Sequence, residues 1–421
     1  MAIHFPTVSW AKGANIYEVN IRQYTHEGTF VAFAKHLPRL KDMGVSILWL
    51  MPITPISVEK RQGSLGSYYA CSSYTTINPE FGNANDFKNL ISEAHALGFK
   101  IIIDWVANHT GYDHHWTKEY PEFYVKDEQG NFTEKNGWTD VIDVDYSNTA
   151  LQNAMIEAMQ FWIKEYNIDG FRCDMAHLVP LTFWQKARTA CDKIKKLFWL
   201  AECDVKEYHA VFDVSYAWQW MHVTEKLYQQ KATLNDVYKV LHQYNDNTED
   251  AKKLFFTTNH DENSWNGTEY EKYGNTAKAL AVFTFTWNGV PLIYSGQENS
   301  NFKRLLFFDK DEIIWNEKPA LHHFYKKLLA LHSTNAIAIG ETFILPVSNH
   351  HVMAYLRKHG QEVVLVILNL SDENKVAVIV EHEYIKGNFM NVFSAINFSF
   401  NQKEMFELQA FEYRVYQSVQ F

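Results

Sequence analysis

The sequence predicts an α/β fold: a (β/α)8 TIM barrel with a short inserted segment after its third strand and a C-terminal antiparallel β domain. Three observations carry this reading. A unit recurs in which a helix ends near a glycine and a short apolar run follows, as in "LKDMGVSILWLMP", "AHALGFKIIIDWV" and "EYNIDGFRCDMA". Glycine suits the left-handed position just past a helix, and near-continuous apolar strands are what a parallel sheet covered on both faces requires. Eight such runs can be counted over roughly 300 residues, and from about residue 336 the texture changes to hairpins.

Taken in order, the strand candidates are "NIYEVN" (15–20), "VSILWLMP" (45–52), "KIIIDWV" (100–106), "GFRCDMA" (170–176), "LFWLAEC" (197–203), "VFDVSY" (211–216), "KLFFTTN" (253–259) and "GVPLIYSG" (289–296). The helix before the fourth is the clearest: in "TALQNAMIEAMQFWIKEY", Leu151, Ala154, Met155, Ala158, Met159, Trp162 and Ile163 fall on one stripe, as packing on a sheet demands. Residues 110–146 break the alternation. They are polar, aromatic and poor in helical period, and read as a lid-like excursion over the barrel mouth. "HVMAYLRKHGQEVVLVILNL" gives two runs about a His-Gly turn. The expected domains are therefore a barrel over 1–109 and 147–335, an insert over 110–146, and a β-sandwich over 336–421.

Composition narrows the function. The chain has 421 residues, 47% hydrophobic and 15% aromatic, enough for a large core and unlike a disordered or fibrous chain. Its 39 basic residues against 49 acidic ones, a net charge of -10, offer no surface for a phosphate backbone, so nucleic acid is not an expected partner. No apolar window reaches the length of a membrane span, and "MAIHFPTVSWAKGAN" lacks the basic and apolar regions of a leader. The expected location is the cytoplasm, or outside the cell if a leader has been removed. Cys71, Cys173, Cys191 and Cys203 show no metal-ligand spacing and read as four reduced structural thiols. The oligomeric state stays open.

If strands end where apolar runs end, their terminal polar residues meet at one mouth. The third strand brings Asp104, Asn108 and His109; the fourth Arg172 and Asp174; the fifth Glu202; the seventh His260 and Asp261. Alone, a strand-end aspartate can cap a helix and an Arg-Asp pair can be purely structural. Their joint occurrence at four strand ends argues for chemistry. Like charges so close shift one another's proton affinity, and the reaction that uses paired carboxylates in this way is glycoside cleavage. In its retaining form the carboxyls stand about 5–5.5 Å apart, and adjacent strands lie roughly 4.8 Å apart, which suits Asp174 and Glu202. Arg172, one strand period before Asp174, points to the same face and is expected to keep it ionised. Glu202, after the apolar "FWLA", is expected to hold a proton.

These motifs resemble those of the alpha-amylase family, glycoside hydrolase family 13. "DWVANH" (104–109), "GFRCDMA" (170–176), "LAEC" (200–203) and "FTTNHDEN" (256–263) are similar to its four conserved regions in order, spacing and strand position, and the resemblance runs from about residue 14 to about 300. It implies a retaining hydrolase of α-1,4-glucosidic bonds in starch-derived or malto-oligosaccharides. Asp174 would be the nucleophile, Glu202 the general acid and then base, and Asp261 the stabiliser of the transition state. His109 and His260 would grip sugar hydroxyls, Arg172 would orient Asp174, and Asp104 would support the network. By alignment on "INPEFG", Tyr69 would stack under the sugar at the cleaved bond. His177 departs from the pattern, for many members carry Lys and then a calcium-binding His after the nucleophile, where this chain has His177 and Leu178. A calcium ion is compatible with the family but not predicted here; no cofactor and no metal ligand is assigned. His177 could instead contact a sugar beyond the cleaved bond, or bond to the insert. A transglycosylase or isomerase acting on α-glucosides would share the same acids. An inactive sugar-binding homologue would be expected to lack one of them, and all three are present.

Overall fold

The computed structural model describes residues 5–245 and 251–419. Eight parallel strands close a barrel: β1 (Ile16–Val19), β2 (Ile47–Leu50), β3 (Lys100–Trp105), β4 (Gly170–Cys173), β5 (Phe198–Ala201), β6 (Val214–Tyr216), β7 (Lys252–Phe255) and β8 (Val290–Tyr294). All lie within the predicted runs except β7, which starts one residue earlier. β1 pairs with β8 through Ile16 and Leu292, so the sheet has no free edge.

Local sequence explains the joins. Gly44, at φ 102°, ends the helix Leu37–Met43 in the left-handed conformation the motif demands. In the third unit the cap is Asn167 at φ 55°, and the expected glycine serves elsewhere. Gly170 lies inside β4, where a Cβ would come within 2.1 Å of the Phe198 carbonyl oxygen on β5. Between β5 and β6 the crossover is a single 3-10 turn, Lys206–Ala210, in place of a full helix. The helix Thr149–Tyr166 buries the predicted stripe, with Ala154 at its margin.

The excursion after β3 is closed by an antiparallel pair, His109–Gly111 with Val141–Asp143. Trp116, Phe123 and Tyr124 are buried and continuous with the barrel core, Trp116 through Tyr74, which packs on Trp105. Of the aromatics in this segment that could have faced sugars, Trp138 is the one at the mouth, edge-on to His109 at 5.2 Å.

The C-terminal strands are β9 (Glu341–Leu345), β10 (Val352–His359), β11 (Glu362–Asn369), β12 (Val376–Asn391), β13 (Asn397–Leu408) and β14 (Tyr413–Ser418). They form one antiparallel sheet in the order β9-β10-β11-β14-β12-β13, where a sandwich would have two. A bulge in β12 between Glu381 and Lys386 bends the sheet over its own core of Leu356, Val378, Phe389 and Phe406. The alternate residues of β10, Met353 and Tyr355, face the barrel; Tyr355 meets Trp287 at 5.0 Å and bonds Thr286 at 2.5 Å. Among the described residues no helix is long and apolar enough to cross a membrane, and the four cysteines are buried, unpaired thiols.

Candidate active site

Strand register builds the site. Asp104 on β3 pairs with Arg172 on β4, and Cys173 with Ala201 on β5, so the next residues, Asp174 and Glu202, stand side by side at the mouth. The chain then turns sharply: Met175 takes a left-handed conformation at φ 38°, rare for a side chain of its size, and its N–H donates to Glu202 Oε2 at 3.0 Å.

Arg172 is fully buried and touches three carboxylates. Its Nη1 lies 2.9 Å from Asp104 and 3.0 Å from Asp174, and its Nη2 lies 2.7 Å from Glu202. Nε donates to the Tyr216 hydroxyl at 3.2 Å, and the Trp49 ring lies 4.8 Å beneath the guanidinium. One planar cation therefore sets the spacing of all three acids. It does not hold Asp174 ionised on its own, as the strand pattern suggested. Burial, and after it the Glu202 charge, push the Asp174 carboxyl well up against the pull of Arg172. Asp104 is also raised by burial, although Arg172 and His260 oppose it.

A second network joins β1, β7 and the loop after β2. His260 is buried, with Nδ1 2.5 Å from Glu18 Oε1 and Nε2 3.2 Å from Asp261. Burial favours the neutral imidazole, but Asp261 and Glu18 outweigh it and hold His260 protonated well above its ordinary range. Asp261, whose side chain is 35% exposed, is raised most by burial, but His260, Arg172 and Trp265 together bring it below its ordinary range, so it stays ionised. Tyr69 donates to Asp104 at 3.1 Å and accepts from His260 at 2.7 Å, linking the two networks. Its ring stacks on His260 at 5.4 Å. His109 is buried at the rim, and burial pushes it down to about 4, so it is a neutral hydrogen-bonding group.

Eight of the nine residues assigned a role from the sequence thus meet at one mouth. The ninth, His177, stands three residues past Asp174 on the same loop. It lies on the 3-10 turn Ala176–Leu178, exposed, and its backbone carbonyl accepts from Tyr208 at 3.2 Å. Glu18, Trp49 and Tyr216 belong to the site and were missed. Glu18 gave a signal, a single charge inside the apolar "NIYEVN", of the same kind that marked Arg172. Among the described residues no group of three or more His, Cys, Asp or Glu is gathered to hold a metal ion.

Comparison with known proteins agrees with the motifs. The family model "Alpha amylase, catalytic domain" matches residues 12–140 and 122–320, and "Maltogenic Amylase, C-terminal domain" matches 343–415. A noncanonic maltogenic alpha-amylase from Thermotoga neapolitana superposes with a TM-score of 0.90 at 31% identity, covering 98% of this chain and 100% of that one. An alpha-amylase from Lactobacillus plantarum does so at 0.89 and 28% identity, with the same coverages. The alpha-amylase MalA of Haloarcula japonica is 26% identical over 87% of this chain, which spans 56% of that curated relative's length. The chain belongs to the alpha-amylase family of glycoside hydrolases.

Proposed function

We propose that the chain hydrolyses α-1,4-glucosidic bonds of starch-derived or malto-oligosaccharides, with retention of configuration, by double displacement. The observation that carries this is the single Arg172 guanidinium in contact with both Asp174 and Glu202. Two carboxyls bridged by one such group at the ends of adjacent strands, which lie roughly 4.8 Å apart, favour the short spacing of retention, with attack by one and proton donation by the other.

In the first step an Asp174 oxygen bonds to the anomeric carbon while the glycosidic bond breaks, and the leaving oxygen takes the proton from Glu202. In the second, Glu202 removes a proton from water, the water oxygen bonds to the anomeric carbon, and Asp174 leaves. Asp261, ionised beside His260, faces the positive charge that develops on the sugar ring. Protonated His260 and neutral His109 are set to bond hydroxyls, and the Tyr69 ring offers its face to the pyranose. Arg172, in contact with Asp104, Asp174 and Glu202, fixes Asp174 for in-line attack. The maltogenic description of the Thermotoga relative and the C-terminal family match favour malto-oligosaccharides as substrates. Buried, unpaired thiols suit a reducing compartment, and we place the protein in the cytoplasm.

Because a sugar hydroxyl could replace water in the second step, transglycosylation is the reading to test against. Products of malto-oligosaccharides followed by mass should be shorter than the input. Chains longer than the input as the main product would replace hydrolysis by transfer, and no turnover on any α-glucan would refute both.

A further inference from the structure

One large aromatic residue beside the site stands half in solvent yet is held from two sides. Immediately after Asp261 the chain winds through Glu262–Asn266 as a single π-helical turn, closed by the Gly267 N–H on the Glu262 carbonyl at 2.9 Å. Such one-residue expansions of a helical turn occur mostly at functional positions, because they re-aim side chains. Here the turn sets Trp265 beside the Asp261 carboxylate, which it helps hold below its ordinary range. The ring itself is 52% exposed.

Its neighbours come from the loop after β8. Phe307 lies 5.2 Å from Trp265, and Phe308 5.6 Å. Phe307 in turn is nearly parallel to Tyr69, at 6.2 Å and 16°. A continuous aromatic wall, built by loops after β2, β7 and β8, therefore climbs from Tyr69 at the floor of the site to Trp265 at its rim. Leu306 beside it is also exposed. An exposed apolar patch rimmed by polar groups marks a binding surface. A tryptophan held by ring contacts to two neighbours loses little freedom on binding, so it makes an efficient platform.

We propose that Trp265 is the stacking platform for a glucose residue away from the cleaved bond, the indole face covering the C–H face of that pyranose. Continuity with Tyr69 and with Asp261 selects a sugar of the substrate chain as the occupant, and the same ring, lying beside Asp261, positions it. This rests on the α-glucan reading above and names how longer chains are preferred over short ones.

The test compares p-nitrophenyl α-glucoside, which is too short to reach the rim, with maltohexaose, using the full chain and the variants Trp265→Ala and Trp265→Phe. Trp265→Phe keeps a ring and loses the N–H. It should lower kcat on both substrates by a similar factor and leave their relative kcat/KM within about twofold of wild type. Trp265→Ala loses both functions and should cost maltohexaose about tenfold more in kcat/KM than the glucoside, chiefly through KM. Equal losses on both substrates for Trp265→Ala would overturn the platform and leave only a positioning residue for Asp261. A wild-type chain inert on both substrates would overturn the glycosidase reading as well, which separates that failure from this one.

Discussion

Asp169 and Asp174 flank the four residues of β4, and their surroundings drive them in opposite directions. Asp169, at the bottom of the barrel, accepts from His95 at 2.7 Å and from the Ile101 N–H at 2.9 Å, and it pairs with Lys195 at 3.0 Å and Lys100 at 3.4 Å. Burial raises it, but these partners outweigh burial and bring it down to about 2. Asp174, at the top, is raised by burial and by Glu202 against a single shared arginine. One strand thus carries a charge that holds the fold together at one end and a charge that strains it at the other. In barrels of this kind chemistry sits at the C-terminal ends of the strands, and this pair shows the division within six residues. Charge is satisfied where it stabilises and crowded where it reacts.

The largest effect expected from this contrast is Asp174→Asn. Removing the nucleophile should lower kcat on malto-oligosaccharides by at least about 10^4-fold. Since the change also removes a negative charge from a crowded cluster, and Arg172 keeps Asp104 and Glu202, the unfolding midpoint should stay level or rise. A melt showing clear destabilisation would mean Asp174 is a structural partner like Asp169, and the contrast would collapse.

Glu18→Gln should act on the same mouth more gently. His260 is faced by Glu18 from β1, by Asp261 from its own strand end and by the Tyr69 hydroxyl, with Arg172 and Asp104 one contact further. Its folded pKa is raised, so its proton is held at neutral pH and lost only as pH climbs through that value. Without Glu18 the proton leaves earlier. The basic limb of kcat/KM should move to lower pH, so the loss of activity is greatest on the alkaline side and smallest at neutral pH. A pH profile with an unmoved basic limb would detach Glu18 from the chemistry.

What could be read from the sequence follows from where information is local. The barrel strands were legible because each is an uninterrupted apolar run, and Asp104, Arg172, Asp174, Glu202, His260 and Asp261 because charge appears where such a run ends. Glu18 carried a like signal, a charge inside an apolar run, but its role could not be read, because its partner His260 lies 242 residues away and only barrel closure joins them. For Trp116, Phe123 and Tyr124 packing was the favoured reading over a sugar platform, since an aromatic side chain serves both, and burial decides it. Trp265 raised no signal in a loop with no period. The C-terminal alternation gave two faces, but whether the strands part into two sheets or curl as one depends on a bulge in β12 that alternation does not encode.

Asp169→Asn gives the smallest effect and the sharpest check on the opening contrast. Its folded pKa, about 2, lies below the usual carboxylate value of about 3.9, so its charged form is favoured by folding. The sign follows: this stability is present in full above the unfolded value and is lost as pH falls through the folded one. A depression of this size on a side chain only 2% exposed corresponds to about 2 kcal/mol. At pH 7 the variant should therefore unfold more easily by about that amount, seen as a melting point lower by a few degrees. As pH falls from about 4 towards 2, the two unfolding curves should converge, because the wild-type carboxylate is then being protonated as well. Turnover at pH 7 should stay within about twofold of wild type, for Asp169 lies at the opposite end of β4 from the three acids. A loss of kcat comparable to that of a site residue would show that the bottom of the strand transmits to the mouth, and that stability and chemistry are not separated along β4 after all.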